Sequence, residues 1–157
     1  MEFLKASKIF YLNKSTYLNL RWIAYTGQLI AILVVQFFFQ FDFDYFICIS
    51  IVGFSILTNL FLQFKIKDNQ LNNFTSTIYL TYDILQLGIL FFFTGGLTNP
   101  FIFLIIIPAV FSSQYLHFYS SIILVMIIIL ALFILSFYFH DLPHPGELHF
   151  HVPDYYF

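Results

Sequence analysis

Long apolar runs separated by short polar breaks set the pattern of this chain. Residues 22–41, 45–64, 74–94, 101–118 and 120–139 are each dominated by Phe, Ile, Leu and Val. At about 1.5 Å per residue, a helix of about 20 residues covers the roughly 30 Å hydrocarbon core of a bilayer. Lipid offers no partner to an open backbone, so such runs are expected to be helical. The pattern therefore predicts an all-α, polytopic transmembrane helical bundle with five spans at about those positions. The fourth run is the shortest, with 16 residues from Phe101 to Leu116 unless His117 and Phe118 extend it. Pro108 in its middle should kink or break the helix, unless Ser112 and Ser113 begin a polar end that relaxes the strain.

The breaks differ in kind. Asp42-Phe43-Asp44 is a tight acidic turn, and Lys65 to Asn73 is polar with two lysines. Thr94-Gly95-Gly96-Leu97-Thr98-Asn99-Pro100-Phe101 is a polar turn wedged between two apolar runs. There Gly-Gly can take positive backbone dihedrals, and Asn-Pro sets an extended residue before a proline that can open the next helix. Residues 140–157 form a proline-broken loop carrying His140, His144, His149 and His151.

Composition strengthens the membrane reading: 61% of residues are hydrophobic and 9% charged, which does not describe a water-soluble domain. Charge placement then orients the bundle. Lys5, Lys8, Lys14 and Arg21 precede the first run, Lys65 and Lys67 lie between the second and third, and the other connections have no Lys or Arg. By the positive-inside rule, residues 1–21 are a cytoplasmic basic arm or short interfacial helix, followed by a transmembrane domain over 22–139. The acidic turn, the glycine turn and the 140–157 loop then face the outer, periplasmic side. Five crossings leave the chain outside, and Tyr155-Tyr156-Phe157 reads as the approach to a sixth span, so the sequence is expected to be a fragment or truncated product. Cys48 stands alone within an apolar run, which excludes an intrachain disulfide. Trp22 to Phe41 is too long and aromatic for a cleavable signal peptide.

Asp83 is the one Asp, Glu, Lys or Arg inside the five runs. A charge at that depth costs several kcal/mol on insertion scales, on the order of 3 kcal/mol, so it is a functional candidate facing the bundle interior or water. Tyr79, Asp83, Gln86, Leu90 and Thr94 share one helical face pointing toward the glycine turn. Asp83 either handles a ligand or proton, or joins its helix to another through Gln28, Gln36 or Asn59. The histidine loop could hold a divalent metal, but it has no recognised zinc spacing, and we assign no metal site. Nothing in the chain pairs a nucleophile with a base, cradles a phosphate or offers a nucleic-acid patch.

Leu20-Arg21-Trp22-Ile23-Ala24, Gly27-Gln28-Leu29, Asn59-Leu60, Tyr82-Asp83-Ile84-Leu85-Gln86-Leu87 and above all the turn from Thr94 to Phe101 resemble the membrane domain of the RegB/PrrB (ActS, RegS) redox-sensing histidine kinases. Phe139-His140-Asp141-Leu142-Pro143 is similar to that family's loop before its sixth helix. The resemblance implies a six-helix sensor that reads the ubiquinone pool of the bacterial inner membrane. It places quinone-associated positions at Gly95, Gly96, Asn99, Pro100 and Phe101, to which the helical spacing adds Asp83, Gln86 and Thr94 as a supporting polar stripe. It also implies a homodimer through the parent kinase and a response regulator as partner. The sequence departs from the family in lacking a phosphoacceptor-histidine box, the ATP-binding asparagine and glycine boxes and a cytoplasmic redox cysteine. Phe91, Phe92, Phe93 and Phe101 are expected to wall the ring, and backbone N–H groups freed by the glycines, the Asn99 amide and the Thr94 and Thr98 hydroxyls to donate to it. Two further classes stay open: a small transporter or channel subunit using Asp83, and a structural membrane partner.

Overall fold

The computed structural model describes residues 12–38, 43–65 and 69–138. The expected arm up to residue 11, Asp42, Lys67 and the histidine loop lie outside the described residues. In chain order the elements are β1 (Leu12–Asn13), α1 (Lys14–Phe37), α2 (Tyr45–Lys65), β2 (Gln70–Leu71), α3 (Asn73–Phe93), 3₁₀ turns at Gly96–Thr98 and Ile102–Ile106, α4 (Ile107–Tyr115) and α5 (Phe118–Phe137). Four of the helices, α1, α2, α3 and α5, are long and apolar enough to cross a membrane.

Helix α1 begins eight residues before the first apolar run, because the Asn13 side chain accepts from the backbone N–H groups of Ser15 and Thr16 at 3.0 and 3.5 Å. Lys14 to Arg21 are thus the first two turns of a helix, with Tyr17, Leu18 and Arg21 buried on one face. The short antiparallel ribbon of β1 and β2 pairs Leu12 with Leu71 and Asn13 with Gln70. It continues in the bond from Lys14 N–H to Asn69 O at 3.0 Å. Its two leucines are buried in the main apolar core. The start of α1 and the connection from α2 to α3 therefore share one end of the bundle, as the basic residues had suggested.

Asn72 caps α3 by accepting from Thr75 N–H at 2.7 Å. The next residue, Asn73, ties α3 to α5: its amide donates to Ser120 Oγ at 2.7 Å and its carbonyl oxygen accepts from His117 N–H at 2.8 Å. The two helices start side by side and remain packed together further along, since a methyl group on Gly88 would meet Ala131 Cβ at 3.9 Å. They run parallel, so residues 94–117 must bring the chain back the length of the bundle. The 3₁₀ turn at Ile102–Ile106 and α4 make that return in place of one long helix. Pro108 is the second residue of α4, where its missing N–H leaves no bond unmade, so it opens a helix and does not kink one.

Candidate functional site

The turn after α3 closes on itself. Gly95 and Gly96 have φ of 95° and 59°, the left-handed region that a side chain would strain. Both glycines are buried, while Leu97, Thr98, Pro100 and Phe101 are exposed and Asn99 is half-buried. The Asn99 amide donates to Thr94 O and Thr94 Oγ1 at 2.9 and 2.8 Å, and its carbonyl oxygen accepts from Phe101 N–H at 2.8 Å. Thr94 Oγ1 donates to Leu90 O and Thr98 Oγ1 to Gly95 O.

Two expectations change as a result. The donors assigned to a ligand at Thr94, Thr98 and Asn99 hold the turn together. Of the four expected ring walls, Phe91 is packed into the core, whereas Phe101 is 46% exposed. Phe92 and Phe93, half-buried, meet edge to face at 5.2 Å.

The second polar centre lies deeper, where α1, α2 and α3 meet. Arg21 Nη2 lies 3.0 Å from Asp83 Oδ1, and the two side chains are only 3% and 14% exposed. Tyr17 donates its hydroxyl to Asp83 Oδ2, and Tyr25 donates to Oδ1 at 3.4 Å. Arg21 Nη2 also donates to Thr58 Oγ1 at 3.0 Å. The guanidinium sits 5.4 to 5.7 Å from the ring centres of Tyr17, Tyr25, Tyr79 and Tyr82, within cation–π range. Tyr82 in turn shares a hydrogen bond with Ser55 at 2.9 Å.

The expected joint between helices is therefore present with different partners. Asp83 is held by Arg21, Tyr17 and Tyr25, while Gln28 accepts from the Gln86 amide at 3.0 Å. Arg21, expected in a cytoplasmic arm, is a buried member of the bundle. A helical stripe could have found it: Tyr17, Arg21, Tyr25 and Gln28 recur at spacings of four, four and three, and Tyr79, Asp83 and Gln86 repeat that pattern on α3.

A groove of about 630 Å³ runs between α2 and α3, lined by Phe46, Ile47, Phe54, Tyr82, Gln86 and Ile89 among others. Its end at Ile89 lies five residues, or about 7.5 Å of helical rise, short of Thr94. Among the described residues no cluster of three His, Cys, Asp or Glu could hold a metal.

No family model and no solved structure matches the chain. The sensor histidine kinase RegB of Cereibacter sphaeroides is 37% identical to it over 126 residues, covering 80% of this chain and 27% of that protein. The chain thus spans about a quarter of the relative's length. With the apolar helices already described, the match makes this a membrane protein, and the chain belongs to the RegB family of sensor histidine kinases over its membrane region.

Proposed function

We propose that this chain is the redox-sensing membrane portion of a two-component sensor histidine kinase, which binds ubiquinone and ubiquinol at the turn from Gly95 to Phe101. The carrying observation is the self-bonded turn itself, which sets Phe101 outward beside buried Gly95 and Gly96. Quinones bring carbonyl acceptors, and quinols bring hydroxyl donors. With the Asn99 amide and both threonine hydroxyls engaged as donors, the turn's side chains meet the reduced ring through their remaining oxygen lone pairs and the oxidised ring mainly through Phe101. The two redox forms thus contact the turn differently, and a ligand shifts a helix equilibrium only by such a difference. The apolar groove along α2 and α3 suits the hydrocarbon tail.

Asp83 serves this function from a distance. Its pairing with Arg21 joins α1 to α3, the helix that ends in the turn, so a displacement of α3 is passed to the end where the β1–β2 ribbon lies. We place that end in the cytoplasm of a bacterial inner membrane, because the basic residues gather there. The output is a cytoplasmic kinase domain that these residues do not contain, acting as a homodimer on a response regulator. A transport role for Asp83 loses ground, because Arg21 and two tyrosines already hold the carboxylate.

Binding of a photoreactive ubiquinone analogue to the purified chain tests the site. Phe101→Ala should weaken labelling by exposing no ring, and Asn99→Ala by opening the turn. Labelling unchanged in both variants would overturn the assignment.

A further inference from the structure

The Arg21–Asp83 centre contains polar atoms that its protein neighbours do not satisfy. Arg21 Nε and Nη1 are buried without a hydrogen-bond partner, and so are both polar atoms of the Asn59 amide. Asn59 is fully buried. It directly follows Thr58, which bonds Arg21, and lies one turn from Ser55, which bonds Tyr82. The tyrosine faces attract the guanidinium, but they leave the Asn59 donor and acceptor unmatched. Buried groups of this kind are nearly always paired, commonly with ordered water.

A way in lies on the same seam. A polar pocket of about 270 Å³ between the start of α1 and the end of α2 is lined by Lys14, Ser15, Leu18, Trp22, Gln63 and Asn69 among others. Leu18 is one helical turn from Arg21, and Gln63 is one turn from Asn59. Leu18 itself lines the pocket and is 8% exposed, so its side chain belongs both to the pocket wall and to the buried face of α1 that carries Arg21.

We propose that ordered water molecules bind Arg21 Nε and Nη1 and the Asn59 amide, forming a short wet path from this pocket to the Arg21–Asp83 pair. The ligand class is water, offered two donors by the arginine and both a donor and an acceptor by the asparagine. Water changes what the ion pair can do. In a dry interior, separating the two charges strands each of them, whereas bound water lets them part and re-form, so the link between α1 and α3 becomes a joint that can open. This inference does not rest on quinone binding, and it stands or falls separately.

Methanethiosulfonate ethylammonium, which reacts with thiolates in water, tests it in membrane vesicles. On a Cys48→Ala background, Asn59→Cys should react at least about ten-fold faster than Val52→Cys, a fully buried position on the same stripe of α2. Equal rates at the two positions would overturn the proposal. Pulsed hydroxyl-radical labelling of the unaltered chain gives a second measure that needs no variant. Tyr17 and Tyr82 should be oxidised faster than the outward-facing Phe61 and Phe133, and equal or slower oxidation would count against bound water.

Discussion

At the glycine turn, Asn99 finds its partners at Thr94 and Phe101, no more than five residues away. Asp83 draws Tyr17 and Tyr25 from 66 and 58 residues earlier in the chain. Each region matches its polar side chains in an apolar setting, but the turn does so within itself and the ion pair only once three helices have met. The turn can therefore hold its shape while its helices shift, whereas the ion pair registers any change in how α1 and α3 lie together. For the sensor role proposed above, the two would supply a stable face for the ligand and a joint sensitive to helix position.

The largest effect that would sharpen this contrast is expected at Arg21. Arg21→Leu leaves Asp83 buried without its counter-charge and should cost about 3–5 kcal/mol, read by reversible unfolding in micelles. Arg21→Leu combined with Asp83→Leu should recover most of that loss, because no lone charge remains. A double variant no more stable than the single one would show that the centre is not held by mutual charge.

Next comes Asn99→Ala, which removes the bonds to Thr94 and Phe101 and should cost about 1–3 kcal/mol. Spin labels on α1 and α3 should report an unchanged separation in this variant. A changed separation would remove the distinction between a self-contained turn and a distributed joint.

Gly95→Ala should cost about 1 kcal/mol, since alanine must adopt the left-handed conformation that glycine takes without strain. The same substitution at Gly88, in an ordinary helical position with a methyl-sized contact ahead of it, should cost far less. The smallest effect is at the Gln28–Gln86 bond, where a double-mutant cycle with leucine should give a coupling of about 0.6 kcal/mol. A coupling near zero would leave Asp83, with Arg21, Tyr17 and Tyr25, as the polar link between α1 and α3 among the described residues.

How much of this was legible in the sequence follows the same division. The four long helices show as apolar runs, and Gly95-Gly96 announces a turn, because those signals are local. Asn13 ahead of Ser15 and Thr16 is a readable cap, and it starts the helix eight residues before the apolar run begins. Charge alone groups Arg21 with the basic arm, although its spacing with Tyr17 and Tyr25 puts all three on one helical face. That Arg21 would meet Asp83 depends on how α1 packs on α3, which no spacing within either helix encodes. Pro108 is ambiguous in the sequence for a related reason: mid-run by hydropathy, it is the second residue of a new helix because the backbone before it winds as 3₁₀.

That 3₁₀ stretch has a mechanical consequence. It rises about 2.0 Å per residue against about 1.5 Å in an α-helix, so rewinding Ile102–Ile106 into α geometry would shorten the segment by about 2.5 Å. Since α3 and α5 are pinned together at Asn73 and Ser120, such a contraction would draw Phe101 toward the pinned end like a short piston. Its stroke is measurable between probes at Leu97 and Tyr119.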